Sequence, residues 1–238
     1  RTPSVVRDAT VHGGLSRGGR APSAAARRLL VCRRVRVTVE GDPARPAGSP
    51  SLTKRYLALS EPLSERPVLH VIVGSIRPGR VGLPVASWFQ QHAVDHGAFD
   101  ARLVDLAEVG LPLYDEPRHP RLGQYEHEHT KRWSRIVAEA DAFVFVTPEY
   151  NHSYSAPLKN ALDYLNREWK DKPAGILSYG GVSAGTRAMV ALRPVLAVLG
   201  MPTVPTAVNV PFVARFLNAE GEFVPNEATA KGADAMLH

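Results

Sequence analysis

Ser75, Arg77 and Arg80 lie on one short loop, directly after the apolar run Val68–Val73 in the segment VLHVIVGSIRPGR. A hydroxyl and two permanently charged guanidinium groups at this spacing suit a phosphate monoester, because all three bring donors to one cluster of oxygens. Val85, Trp88, Phe89 and His92 follow at helical spacing, with Pro84 acceptable in a first turn. The loop therefore stands where a strand passes into a helix, the place where free backbone N–H groups attract an anion. Gly74–Val81 comes close to the triphosphatase pattern G-x-x-x-x-G-K-[ST], but it has Arg80 for the lysine and Val81 where a hydroxyl must hold magnesium. The dinucleotide fingerprint G-x-G-x-x-G is absent. Taken alone, the loop also reads as an ordinary strand-to-helix connection.

The elements that must position these residues begin at Pro67. Ala101–Leu106 reads as a short edge strand, Ala142–Thr147 as an uninterrupted apolar central strand, Ala174–Tyr179 as a fourth, and Thr203–Val210 as a fifth with Pro205 favouring an edge. Between them, Trp133, Ile136, Val137 and Ala140 mark a helix on which Glu128 and Arg132 are spaced for an i, i+4 pair. Leu158, Ala161, Leu162 and Leu165 mark another, with Ser155 as its N-cap. A further helix runs from about Arg187 to Leu199, kinked at Pro194, with Gly200 at its exit, and Asn226–Met236 has weak helical patterning. Strands alternating with helices imply a parallel sheet with right-handed crossovers and helices on both faces, in the order 2-1-3-4-5. Gly74–Arg80, Pro148–Ser155 and Gly180–Thr186 then all fall at strand carboxyl ends, where such sheets bind ligands. The long, proline-bearing connection Leu111–Gln124, with Tyr114, is a candidate wall for the same site.

The 238 residues carry a formal charge of +6, which would invite a nucleic-acid reading, but the charge is unevenly spread. Residues 1–66 hold 13 lysines and arginines against 5 acids, whereas the remainder hold 16 against 18. The basic balance thus belongs to a front segment rich in Arg, Ala, Pro, Gly and Ser. Residues 1–65 are expected to be a mostly disordered extension, and 66–238 the folded domain, with no nucleic acid among its partners. An organelle transit peptide and an upstream extension foreign to the domain are the two readings of that front segment. No apolar run is long enough for a membrane span. Cys32 is the only cysteine, so no intrachain disulfide or CxxC pair exists, in keeping with a cytoplasmic location.

Two other constellations carry less. His119, His127 and His129 with Glu126 and Glu128 complete no ligand motif, since i, i+2 residues do not share a helix face, and no metal site is expected. Ser183, Asp163 and His152 lack the G-x-S-x-G elbow of a hydrolase.

With PEYNHSYSAPLKNALDYL, GSIRPGR and SYGGVSAGTRA in view, the chain from about Pro67 to Val210 resembles the NADPH-dependent FMN reductase family, of flavodoxin-like three-layer fold. The resemblance implies that Ser75, Arg77 and Arg80 hold the FMN phosphate, and that Pro148, Glu149, Tyr150, Asn151, His152 and Ser153 line the isoalloxazine ring. It implies too that Ser178, Tyr179, Gly180, Gly181 and Ser183 contact the polar edge of that ring. Many relatives have a serine or asparagine where this chain has Arg80, Val81 and Gly82. Glycines at 180 and 181 let backbone N–H groups approach the ring, and Tyr150 can pack beside it. A flavin performs the hydride chemistry itself, so no residue is assigned a certain catalytic role; His152 and Tyr114 are candidate substrate contacts. The expected activity is hydride transfer from NAD(P)H to a quinone, azo compound or flavin by a ping-pong mechanism, in a homodimer. The alternative is an FMN-binding electron carrier or redox sensor with little NAD(P)H turnover.

Overall fold

The computed structural model describes residues 66–238; the expectations for residues 1–65 lie outside the described residues. Five parallel strands, β1 (Val68–Val73), β2 (Asp100–Asp105), β3 (Ala142–Pro148), β4 (Ala174–Tyr179) and β5 (Val208–Val210), form one sheet in the order β2-β1-β3-β4-β5. Val71 of β1 is flanked by Leu103 on one side and Val144 on the other.

The pleat sends alternate residues to opposite faces, so each central strand feeds two cores. Ile72, Phe143, Phe145 and Ile176 pack with Trp133 and Val137 of α3 (Glu128–Glu139), Leu158 and Leu162 of α4 (Ala156–Asp163) and Leu192 of α5 (Thr186–Val198). The short α2 (Leu106–Val109) joins the same side. Val71, Val73, Val144, Val146 and Leu177 pack with Val85 and Phe89 of α1 (Gly82–His96) and with Ala233 and Met236 of α6 (Glu227–Leu237). Apolar runs rather than alternation in β1, β3 and β4 follow from this burial on both faces.

Two local readings are revised. Thr203 makes only an isolated bridge to Ala174, and β5 proper is confined to Val208–Val210; Pro205 has no N–H for a longer ladder. Glu128 pairs with Lys131 at 2.8 Å, while Arg132 turns inward and donates to the carbonyl of Val109 at 3.0 Å, satisfying an orphan acceptor at the end of α2. α5 runs on past Pro194. At α6, Asn226 caps the helix by accepting the N–H of Thr229 at 2.8 Å.

Candidate functional site

Chain direction reverses between β1, which leads out to β2, and β3, so the carboxyl ends of β1, β3 and β4 enclose the switch-point crevice. Beyond β1, Gly74 donates to the carbonyl of Val146 at 2.8 Å, and its own carbonyl accepts from the hydroxyl of Ser155. That hydroxyl also accepts the N–H of Leu158 at 3.4 Å, so one side chain caps α4 and ties two rim loops together. Ser75 is buried, and the phenol of Tyr179 donates to its Oγ at 3.2 Å. Burial pushes the Tyr179 phenol up to about 12, which keeps it a donor. A Cβ on Gly82 would lie 2.4 Å from both hydroxyl oxygens, which accounts for glycine at the first position of α1.

Ser75, Arg77 and Arg80 lie around one point, since both guanidinium charges act on the Tyr179 phenol that bonds Ser75, but the two arginines differ in their partners. Arg77 is exposed and makes no ion pair among the described residues. Arg80 turns onto the buried carboxylate of Asp105, whose other oxygen accepts the N–H of Ala107 at 3.0 Å. The parallel register sets Asp105 beside Val73, so the end of β2 brings this carboxylate to the base of the loop. Arg77 is left as the loop's uncommitted cation.

Beyond β3, buried Pro148 ends the strand, and Tyr150 and Ser153 exchange backbone hydrogen bonds of 2.8 and 3.0 Å. Asn151 and His152 between them have φ of 48° and 68°. Both corners of this two-residue turn are therefore left-handed, a conformation that asparagine and histidine tolerate better than most and that is often held at functional loops. Tyr150 and His152 face solvent at the rim. Glu149 points the other way: its side chain is 6% exposed and accepts from Nε of Arg187 at 2.6 Å and from the Arg187 N–H at 3.2 Å. Burial alone would raise this carboxyl, but bonds from Arg187 and from the Ser183 hydroxyl outweigh it and hold the group below the usual carboxylate range.

Beyond β4, Ser178 is fully buried and donates to the carbonyl of Ala184 at 3.1 Å, beneath the loop rather than at its surface. The N–H of Gly180 is committed to Val210 at 3.2 Å. The N–H groups of Gly181, Val182 and Ser183 have no backbone partner among the described residues, which leaves them available as donors. Gly185, at φ 79°, backs directly onto Tyr179 and Ser178. Of the sequence candidates, Ser75, Arg77, Tyr150, Asn151, His152, Gly181 and Ser183 are thus on or just under the crevice surface; Glu149, Ser178, Tyr179 and Arg80 support it. Val182, and the role of Glu149 in clamping two loops, escaped the sequence reading.

The connection after α2 wraps over α4. Asn160 donates to the carbonyl of Pro112 at 2.6 Å and accepts the N–H of Tyr114 at 2.9 Å. Leu111 and Leu113, with Ile76, Leu106, Ala156 and Pro157, line an apolar cleft of about 130 Å³ beside the β1 loop; Tyr114 is not among its lining residues. Asp115 accepts from Tyr164 at 2.9 Å and pairs with His129 at 3.0 Å, and Glu116 accepts the N–H groups of Glu126 and His127 at the start of α3. Among the described residues, no group of three or more metal-ligating side chains could hold an ion.

Burial would raise both carboxyls, but bonds from Tyr164 and His129 to Asp115, and from the N–H groups of Glu126 and His127 to Glu116, hold both below their ordinary range. Depressed folded values mean that the unfolded loop binds more protons. The stabilisation is therefore complete above the unfolded carboxylate value of about 4 and is lost as pH falls below it. Hydrogen exchange, corrected for its intrinsic pH dependence, is expected to show residues 111–127 opening below about pH 4 while β1 and β3 stay protected. Equal protection of this loop in acid and at neutrality would contradict the assignment.

A family model described as NADPH-dependent FMN reductase matches residues 67–215. The chain belongs to the NADPH-dependent FMN reductase family. An NAD(P)H-dependent FMN reductase of Schizosaccharomyces pombe is 44% identical over 142 residues, covering 59% of this chain and 70% of the yeast protein. A probable NADPH:quinone oxidoreductase of Oryza sativa is 36% identical over 143 residues, covering 57% of this chain and 70% of the rice protein. Among solved structures, the NAD(P)H:(acceptor) oxidoreductase FerB of Paracoccus denitrificans superposes with a TM-score of 0.59 at 25% identity, covering 72% of this chain and 95% of that one. As a member of this family the protein is an oxidoreductase with FMN as cofactor and NAD(P)H as co-substrate. No helix of the described residues is long and apolar enough to cross a membrane.

Proposed function

We propose that residues 66–238 form the FMN-binding domain and that NAD(P)H and a small acceptor, a quinone, azo compound or free flavin, use one exposed flavin face in turn. The observation that carries this reading is the separation of roles at the rim. One exposed guanidinium, Arg77, makes no ion pair among the described residues, and three N–H groups of the β4 loop have no backbone partner among them.

In this reading Arg77 and the backbone around Ser75 hold the terminal phosphate, with Ser75 fixed from below by Tyr179. Tyr150 covers the ring from the β3 loop, on a turn whose left-handed corners fix where its side chain stands. The N–H groups of Gly181, Val182 and Ser183 donate to the polar edge and stabilise negative charge there. Glu149, by holding Arg187 and Ser183, sets the position of those donors. When bound, FMN accepts hydride and passes the electrons on, so the chain needs no acid–base pair of its own. His152 is exposed beside Tyr150 and is placed to touch a substrate. The apolar cleft under Leu111 and Leu113 adjoins the β1 loop and offers an aromatic acceptor a place to rest. We assign the protein to a homodimer on the family resemblance, and to the cytoplasm on its single cysteine.

Steady-state kinetics with a quinone tests the shared face. Parallel double-reciprocal lines are expected; intersecting lines that require a ternary complex would contradict it.

A further inference from the structure

Phe212, just after β5, lies in the left-handed region with φ 47° and ψ 46°, which a bulky side chain seldom adopts. The residue is 44% exposed and belongs to neither apolar core. Glycine or asparagine would make the same turn with less strain and without a wet aromatic surface, so packing does not explain this residue. The backbone holds it in place from both sides: Phe212 donates to Gly181 at 3.0 Å, Val213 to Gly180 at 3.2 Å, and Arg215 to the carbonyl of Phe212 at 2.9 Å. Phe212 is thereby stitched to the loop that carries the available N–H donors. The guanidinium of Arg215 lies 4.7 Å from the Phe212 ring centroid, and Arg215 is exposed and makes no ion pair among the described residues. Strain held without a packing return, at the rim of a site, points to a ligand contact.

We propose that Phe212 and Arg215 form the subsite for the adenosine 2′-phosphate end of NADPH, the aromatic ring stacking the purine and the guanidinium pairing with the phosphate, so that this chain prefers NADPH to NADH. The proposal rests on the NAD(P)H reading above and names the part of the co-substrate that the crevice itself does not reach. An aromatic face accepts any purine, whereas an arginine fork discriminates for the phosphate. The rim then has two separate anion positions. Arg77 on the β1 loop serves the flavin phosphate; Arg215 serves the second phosphorylated ligand beyond the edge strand β5. Arg187 is held by Glu149, and Arg193 donates to the carbonyl of Pro205 at 3.3 Å, so neither is assigned the task.

Calorimetric titration of the FMN-loaded protein with 2′,5′-ADP and with 5′-AMP separates the two contributions. The wild type is expected to bind 2′,5′-ADP about tenfold more tightly than 5′-AMP, and Arg215→Ala to remove most of that preference. Phe212→Asn should weaken both nucleotides while keeping the melting temperature, since asparagine tolerates this backbone. In turnover, Arg215→Ala should raise KM for NADPH about tenfold more than KM for NADH. An unchanged ratio of the two KM values, or no preference for 2′,5′-ADP in the wild type, overturns the proposal. Calorimetry needs no turnover, so the two readings fail separately. Binding of 2′,5′-ADP through Arg215 without NADPH oxidation supports the subsite and contradicts the activity; NADPH oxidation indifferent to Arg215 overturns the subsite alone.

Discussion

Replacing Arg77 by alanine is expected to lower FMN affinity about 10- to 100-fold, the equivalent of losing one charge-assisted contact of roughly 1.5–3 kcal/mol. The size follows from the absence of any competing partner: Arg77 makes no ion pair among the described residues, so its charge is available to the phosphate. Arg80→Ala supplies the contrast. Arg80 is paired with the buried Asp105, and its removal strands a carboxylate, so it should lower stability more than phosphate affinity. Fluorescence titration of the apoprotein with FMN, beside urea unfolding of each variant, distinguishes the two. Equal affinity losses for both variants, or none for Arg77→Ala, would contradict the division of roles on this loop.

Gly185→Ala is expected to cost about 2–5 kcal/mol of stability and to abolish flavin binding at micromolar FMN. The left-handed backbone, φ 79°, contributes about 1–2 kcal/mol. The new Cβ would lie 2.6 Å from the backbone nitrogen of Tyr179 and 2.7 Å from Cβ of Ser178, and moving a strand end costs about 1–3 kcal/mol more. Against the 5–15 kcal/mol that holds a typical domain together, that is a large share. The shift also lifts the β4 loop, which sets the Gly181–Ser183 donors. Gly221→Ala, at φ 81° with nothing within 4 Å of the added atom, carries only the backbone cost and is the matched control. Unfolding free energies from urea titration within about 1 kcal/mol of each other for the two variants would show that Gly185 is not tightly packed under the site.

What the sequence disclosed was whatever is written locally. VLHVIV and AFVFVT are legible as central strands because burial on both faces removes polar residues from the run, and Ser155 is legible as a cap because capping spans only a few positions. The parallel sheet is legible in the alternation of strands and helices, and its order in which strands are apolar throughout and which are polar enough for an edge. What stayed hidden depends on partners far away in the chain. Nothing near Arg80 announces Asp105, and nothing near Gly82 announces that the hydroxyls of Ser75 and Tyr179 meet above it. Ser178 enters the sequence reading only through the family resemblance; its burial under Ala184 goes with the turn at Gly185. The backbone of Phe212 is held by bonds to the β4 loop, a long-range feature that no local pattern carries.

The central claim is that the crevice between the β1, β3 and β4 loops presents one FMN to NAD(P)H. Anaerobic titration of the FMN-loaded protein with NADPH, followed in the visible flavin band, tests it most directly. The account predicts bleaching that is complete at about one NADPH per flavin and is reversed by a quinone. Flavin that dithionite bleaches but excess NADPH and NADH leave oxidised would contradict it.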